Sequence, residues 1–582
     1  MDKLSFRSRK RLFIVLVCFA LSLAVLSMRV GYIMLFKAEE YQKMAYEQQT
    51  RDRLITPKRG SILDRNGKGM AVTESVSAVS VIHAQIENEE ETAEALAEIL
   101  DLDYEEVLED VSENVALKRI KSKVDKETAS KLRELELPGV MIDEDVERTY
   151  PYYTLAASVI GFVGKDNQGI IGLESKYEEY LKGEAGKLLT LTDSKGRRVS
   201  DSEERIEPVD GENLVTSIDV VIQQYAEQEI AAAVEAKNAK SGLIIVMNPQ
   251  NGEIYAMANY PTFDLNEPFT INDDELAALW HTFTAEEKND YLNHMWRNKA
   301  INDTYEPGST FKIVTASTGL EEGVITPESK FTCTGSMVVG GRTIKCWRYP
   351  RTHGEQTFAE GVRNSCNPVF MAVAERIGAD TFYDYMVKFG FAEKTGIDLN
   401  GEAVGILHDK DDIGPVELAT MSFGQTFQIT PIQLLRAAAA VVNGGRLVTP
   451  HFALKTVDDE GFTVNTFDWP QGERVISEET SEEMREILES VVAEGTGNKA
   501  QVPGYRIGGK TATSQKLPRG SGKYIASFMA FAPADDPQVM ALVLIDEPEG
   551  VYYGGTVAGP VMKDLLSNIL PYLNIEKTAE IE

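Results

Sequence analysis

Cysteine is scarce in this chain: four residues in 582, too few for a disulfide scaffold. Cys18 lies in an apolar run and Cys366 in a segment of helical pattern, which leaves Cys333 and Cys346 as the pair able to close a disulfide outside the cytosol. With His353 nearby, the same two could also hold a metal, or they could remain free thiols. The spacing is loose, and no metal or other cofactor is expected. Positive charge is also in deficit, with 59 basic against 91 acidic residues, a net charge of -32 and a pI near 4.7. A protein that neutralises phosphates needs the opposite balance, so no nucleic-acid partner is expected. No internal repeat is present, and long apolar runs are confined to the N-terminus.

What is there begins with that run. Lys3, Arg7, Arg9, Lys10 and Arg11 precede LFIVLVCFALSLAVLSM, uncharged from Leu12 to Met28, and beyond Arg29 the chain stays mostly apolar to Phe36. At about 1.5 Å per residue, positions 12–36 span roughly 37 Å, enough to cross a bilayer with some tilt. The basic cluster predicts a cytoplasmic N-terminus and an extracytoplasmic remainder. A cleaved signal peptide is the competing reading, but no small-x-small site follows the apolar core, and Cys18 lacks the flanks of a lipoprotein signal.

The length exceeds what one core can serve, so several domains are expected. The pattern divides into a cytoplasmic tail (1–11), a transmembrane anchor (12–36), a membrane-proximal domain (37–235), a second domain (236–575) and a short tail (576–582). YQKMAYEQQTRDRLI reads as a helix continuing into a stalk. ITPKRGSILDRNGKGMAV reads as strand pieces around turns at Arg59-Gly60 and Asn66-Gly67. From Glu87 to Glu113 the chain is acidic and helical, with Ala93, Leu96, Ile99 and Leu100 at helical spacing. Residues 193–212 form a polar, turn-rich tract. NLVTSIDVVIQQYAEQEIAAAVEA starts as a strand, turns at Ser217–Asp219 and becomes a long helix. In the second domain SGLIIVMNPQNGEIYAMANYP is a hairpin, helices fill the middle, and RIGGKTATSQK and YIASFMAFAPADDPQVMALVLIDEP return to strands before a last helix. The expectation is an α+β multidomain protein whose early hairpin and late strands share one sheet.

Chemistry concentrates around EPGSTFK. Ser309 and Lys312 are one helical turn apart, with Pro307-Gly308 fixing the entry and free N–H groups at the helix start favouring negative charge. A serine hydroxyl needs a base, and lysine serves only if burial or a neighbouring cation lowers its pKa. Alone, serine-x-x-lysine is weak. RNSCNPVF supplies Ser365 and Asn367, a proton relay and an amide, although Ser112 and Asn114 in VSENV make the same pattern. A lysine-threonine-glycine triplet occurs literally at Lys394-Thr395-Gly396, in a glycine-rich turn. Its near-match Lys510-Thr511-Ala512 opens the late strands, and only a strand edge presents groups in rigid alternation. Lys510 is therefore the choice.

Serine-x-x-lysine, serine-x-asparagine and lysine-threonine-glycine in this order are the set of penicillin-binding proteins and β-lactamases. The chain resembles the class B penicillin-binding proteins over nearly its whole length. RGSILDRNG, GIIGLE and DGENLVTSID resemble signatures of the family's membrane-proximal region, and YEPGSTFK, SFGQTFQITPIQL and YIASFMAFAP those of its catalytic domain. SCNPVF points to the division and sporulation branch rather than the elongation branch. The resemblance implies an elongated α+β pedestal or dimerisation domain and a β-lactamase-like transpeptidase domain, an antiparallel sheet flanked by helices. It implies a Ser309 nucleophile, Lys312 as base, Ser365 as relay, Asn367 as positioner and Lys510 as a source of positive potential. Thr511, Ala512 and Thr513 would line the substrate, the two threonine hydroxyls gripping its terminal carboxylate. Backbone N–H groups of Ser309 and Thr513 would hold the oxyanion, where loss of a donor costs about 10²–10³ in rate.

The implied partners are peptidoglycan stem peptides, β-lactams, the membrane, a SEDS-family glycosyltransferase and divisome or sporulation wall-synthesis proteins. Two positions depart from the family: Ala512 stands for a glycine on the face shared with Lys510, and Thr426 for a frequent glycine after Gly-Gln. Ala512 motivates the rival reading of a catalytically impaired wall-synthesis scaffold. A membrane-anchored β-lactamase is a further rival, but it has no use for some 200 residues between anchor and catalytic domain.

Overall fold

The computed structural model describes residues 6–38, 41, 50–192 and 198–578. Helix α1 (Phe6–Phe36) contains one stretch, Lys10–Phe36, long and apolar enough to cross a membrane, with its side chains facing outward. The stalk expectation is corrected at its end. Thr50–Ile55 is a strand paired antiparallel with Gly186–Thr192, a long-range pairing that overrides the helical pattern; residues 42–49 lie outside the described residues. The tract expected to be turns likewise contains a strand, Arg198–Ile206, on the other side of Gly186–Thr192, while 193–197 lie outside the described residues.

Beyond α1 the chain forms two compact units. The smaller contains Glu74–Glu147 and Gly183–Asp210, and the larger contains Arg59–Thr73, Arg148–Lys182 and Gly211 onward. In the smaller, the acidic segment forms two helices, Glu89–Leu100 and Tyr104–Ser112, started by Asn88 and Asp103, whose side chains accept first-turn N–H groups. Ala93, Leu96 and Leu100 are buried with Val107, Val111, Val79 and Leu132, while Ile99 is only partly covered.

In the larger unit Asp219 caps α2 (Val220–Ala236) through the N–H groups of Val221 and Ile222. Strands β1 (Ser241–Met247) and β2 (Ile254–Tyr260) form the early hairpin. The late strands are β3 (Gly508–Gln515), β4 (Tyr524–Ala532) and β5 (Val539–Asp546). They make one antiparallel sheet in the order β2-β1-β5-β4-β3, so the distant ends of the domain meet and β3 is an edge. Both faces are buried, which is why the strands read as continuous apolar runs. Ile244, Val246 and Val543 face α2 and α7 (Gly554–Tyr572). Leu243, Ile245 and Leu542 face the helical centre, which includes α3 (Lys312–Glu321), α4 (Asn367–Ile377), α5 (Pro431–Val442) and α6 (Glu478–Ala493).

The turn at Asn66-Gly67 forms, with Gly67 at φ +82° and Asp64 accepting from the N–H groups of Asn66 and Lys68. Arg59-Gly60 is instead a buried anchor. Arg59, 1% exposed, donates to the Glu174 carboxylate at 2.6 Å, which joins the RGSILDRNG and GIIGLE segments. A Cβ on Gly60 would meet the Glu212 carbonyl oxygen at 1.9 Å.

Candidate active site

The serine turn depends on two glycines. Gly308 sits at φ +60°, and a Cβ there would fall 2.3 Å from Ser514 Oγ on β3; Gly424 packs against it and accepts its N–H at 2.9 Å. A short 3₁₀ turn, Gly308–Thr310, then leads into α3. Ser309 stays half-exposed and lines a cavity of about 540 Å³ together with Ser365, Asn367, Thr511, Ala512 and Thr513. A second cavity of about 580 Å³, beside Lys299, Glu306 and Lys516, contains none of these groups.

Lys312 is fully buried, and its amine is held from the far side of the cavity. Nζ donates to Ser365 O at 2.9 Å, Ser365 Oγ at 3.2 Å and Asn367 Oδ1 at 2.7 Å, and lies 5.1 Å from the centre of the Phe370 ring. Lys510, equally buried, donates to Ser365 Oγ at 2.9 Å and to Thr511 O at 3.3 Å. The Ser365 hydroxyl thus sits between two amines. Its backbone is in the left-handed region at φ +52°, a strained conformation for serine. The hydrogen bonds of its N–H to Val362 O and of Cys366 N–H to Gly361 O hold that bend.

Burial in an apolar setting disfavours charge on both amines. It brings Lys312 down to about 8; Lys510 is pushed well below the ordinary lysine value by burial and then by the charge of Lys312.

Edge strand β3 keeps its register with β4 from Gly508 to Gln515 without a bulge, so Ala512, 3% exposed, is accommodated with no slip of the strand. Thr513 Oγ1 accepts the Gly554 N–H at 2.9 Å and so retains its own proton to donate; Thr511 Oγ1 donates to Thr496 Oγ1 at 3.3 Å. Thr426 adopts φ +69°, which accounts for the glycine often found there. It is held by its N–H to Glu306 Oε1 and its hydroxyl to Thr420.

The eight site residues chosen from the sequence therefore come together, apart from any direct hydrogen bond of the Lys312 amine to Ser309. Lys394 does not line the cavity: Thr395 and Gly396 form a turn around the Glu402 carboxylate, with Gly396 at φ +83°. Ser112 and Asn114 belong to the smaller unit. Sequence reasoning missed Thr496, the stacked Tyr524–Tyr552 pair at the cavity wall and the Glu306–Arg519 ion pair, all of which join distant segments. It also misplaced Cys366, which stands just before α4 rather than within it, and whose sulfur joins those of Cys333 and Cys346 beside His353. All three are free thiols, as is Cys18.

Comparison with known proteins gives the family. Residues 242–567 match the penicillin binding protein transpeptidase domain, and residues 54–216 the penicillin-binding protein dimerisation domain. Stage V sporulation protein D of Bacillus subtilis is 39% identical over 98% of this chain and 86% of its own length. The probable peptidoglycan D,D-transpeptidase PenA of Neisseria meningitidis is 30% identical over 98% of this chain and 94% of its own. The crystal structure of penicillin binding protein 3 from Mycobacterium tuberculosis, complexed with aztreonam, superposes with a TM-score of 0.67 at 25% identity, covering 91% of this chain and 99% of that one. On its two domain matches and its whole-length relatives, the chain belongs to the class B penicillin-binding proteins.

Proposed function

We infer that the protein is a peptidoglycan D,D-transpeptidase, cross-linking stem peptides in septum or spore wall synthesis, and a target of β-lactams. The observation that carries this reading is the Ser365 hydroxyl bonded to both buried amines, beside a cavity that Ser309 also lines. Ser309 Oγ attacks the carbonyl carbon of the penultimate D-alanine as the Lys312 amine takes its proton. The tetrahedral oxyanion lies against the N–H groups of Ser309 and Thr513. Ser365 relays a proton to the departing D-alanine, and Asn367 keeps the Lys312 amine in place. A neighbouring stem-peptide amine then displaces Ser309, which recovers its proton, and the cross-link remains.

The two amines divide the work by charge. A terminal carboxylate bound at Thr511 and Thr513 stabilises the protonated form of Lys510. That new charge makes a second proton on Lys312 less favourable, so substrate binding readies the base. The anchor would place residues 1–11 in the cytoplasm and the domains at 37–235 and 236–575 outside. The membrane-proximal part would meet a SEDS-family glycosyltransferase and the division or sporulation wall-synthesis proteins.

Incubation with a fluorescent penicillin followed by peptide mapping should find the adduct on Ser309, with slow deacylation. An unlabelled protein whose Ala512→Gly variant does label would instead support the scaffold reading. Acylation should also depend on pH through Lys312. The ammonium form cannot accept a proton, so the rate should fall as pH drops below about 8 and level off above it. A flat profile from pH 6 to 10, measured by stopped flow, would remove Lys312 as the base.

A further inference from the structure

We propose that the second cavity, beside the serine turn, binds a small organic monocarboxylate with an apolar body, held by Lys299, Tyr305 and Ser514, and that its occupant steadies β3 against that turn. The cavity lies at one end of the sheet, where β1 and β4 begin and β3 and β5 end, and Pro431 at the start of α5 also lines it. Its volume of about 580 Å³ is within the usual range of small-molecule pockets.

Its charges are matched with one exception. Three carboxylates line it, and each already has a cation. Asp303 is paired with Arg297, Asp546 accepts from Lys516 Nζ at 2.8 and 2.9 Å, and Glu306 lies 2.6 Å from Arg519. Among the described residues, no hydrogen bond or ion pair holds the Lys299 amine. Burial keeps it below the ordinary lysine range, and the charges of Asp303 and Asp546 offset this only in part. A carboxylate brought against Lys299 supplies the counter-charge that the fold does not.

Two hydroxyls complete the donor set. Tyr305 OH and Ser514 Oγ are buried side-chain atoms with no hydrogen-bond partner among the described residues, and both residues line the cavity. Native proteins leave few such groups unpaired, because each forfeits its hydration for nothing in return. A carboxylate offers about four lone-pair sites, enough for one ammonium and two hydroxyls. A cationic ligand would face Lys299 and find the carboxylates engaged, and a neutral one would leave the amine unmatched. Behind the carboxylate an apolar body meets Leu243 and Leu544 inside the cavity and covers Val404, Ile406 and Leu517, which are exposed.

The site reaches the catalytic turn from two sides. Ser514 follows Thr513 on β3, and its Oγ would lie 2.3 Å from a Cβ on Gly308, the residue before Ser309. Tyr305 and Glu306 lead into the same turn, Tyr305 N–H bonding Ile429 O at 3.0 Å and Glu306 Oε1 accepting from Thr426 N–H at 2.9 Å. A carboxylate that accepts from both hydroxyls bridges the edge of β3 to the chain entering Ser309. It thereby holds the Ser309 and Thr513 N–H groups at one spacing, which an oxyanion site requires.

Hexanoate, a lipid-type carboxylate, and N-acetylleucine, a peptide-type one, serve as probes of full-length protein in detergent. Ligand-detected NMR against a detergent blank should show at least one binding with a Kd on the order of 1 mM or tighter, and the tighter of the two gives the source. Hexylamine, with the same chain and the opposite charge, should not bind. Lys299→Met should weaken carboxylate binding at least about tenfold and Tyr305→Phe about 2–10-fold, as for a charge-assisted and a neutral hydrogen bond. Affinity unchanged in Lys299→Met would put the carboxylate elsewhere, as at Lys510 and Thr513, and overturn the site. Failure of both probes to bind, or equal binding of hexylamine, would do the same. Should Lys299→Met fail to fold, Tyr305→Phe decides, since it removes one oxygen from a ring that stays in place, and unchanged affinity there would refute the site. The steadying of β3 rests on the transpeptidase reading. Saturating carboxylate should speed penicillin acylation of Ser309 about fivefold, a usual size for coupling between sites, and Lys299→Met should lose the acceleration. A rate unchanged or slowed would overturn the coupling and leave the binding site, whereas a protein that binds the probe and never acylates would count against the proposed function alone.

Discussion

Replacing Lys312 by methionine is expected to slow penicillin acylation of Ser309 by about 10²–10⁴-fold, the usual contribution of a positioned general base. Methionine is unbranched and only one heavy atom shorter, so it can fill most of the space beside Phe370 and the cavity keeps its shape. Two opposing effects act on stability. Burying an ammonium costs free energy, and its removal relieves that cost. The native amine titrates near 8 and the unfolded one at 10.5, so the cost is complete below about pH 8 and fades between the two values. Against this, Ser365 O and Asn367 Oδ1 lose their donor, and a buried unpaired acceptor costs about 1–3 kcal/mol. The melting temperature at pH 7 should therefore stay within a few degrees of the parent, while the acylation rate collapses. That split separates a lost base from a lost fold. Acylation within tenfold of the parent, in protein that melts normally, would mean that some other group deprotonates Ser309.

Much of this site was legible before any coordinates, for physical reasons. The strands of the central sheet are buried on both faces, so β1, β4 and β5 stand out as continuous apolar runs. Preferring Lys510 to the literal triplet at Lys394 followed from what a strand edge can present and a turn cannot. Pairing between distant segments was less legible. Thr50–Ile55 reads as helix because its partner, Gly186–Thr192, lies more than a hundred residues away. Arg59-Gly60 has the composition of a turn, yet it is fixed by a carboxylate at 174 and a backbone approach at 212. The cysteine cluster was legible only in part: Cys333, Cys346 and His353 stand close together in sequence, but Cys366 sits one residue outside the helix to which its pattern assigned it.

The second large effect is expected away from the cavity, at the buried carboxylate of Glu174. Its Oε2 accepts from Arg59 Nε at 2.6 Å, and its Oε1 from Arg148 Nε at 2.7 Å and Tyr150 OH at 3.2 Å, with no exposure to solvent. Burial alone would lower the pKa of Arg59, but Glu174 and Glu178 more than offset it and keep the guanidinium charged. Glu174→Ala leaves Arg148 without its carboxylate and Arg59 with Glu178 alone, and breaking such a network typically costs about 3–5 kcal/mol. Arg59→Met should cost less, because Glu174 keeps Arg148 and Tyr150. The order of the two melting temperatures is the test, and a Glu174→Ala protein more stable than Arg59→Met would contradict it. A triple replacement by apolar residues of similar volume should recover most of the loss, since desolvation consumes much of what a buried ion pair gains. The network's value would then lie in specificity. It fixes where RGSILDRNG and GIIGLE meet within the larger unit, because a slipped pairing would strand a charge in the core.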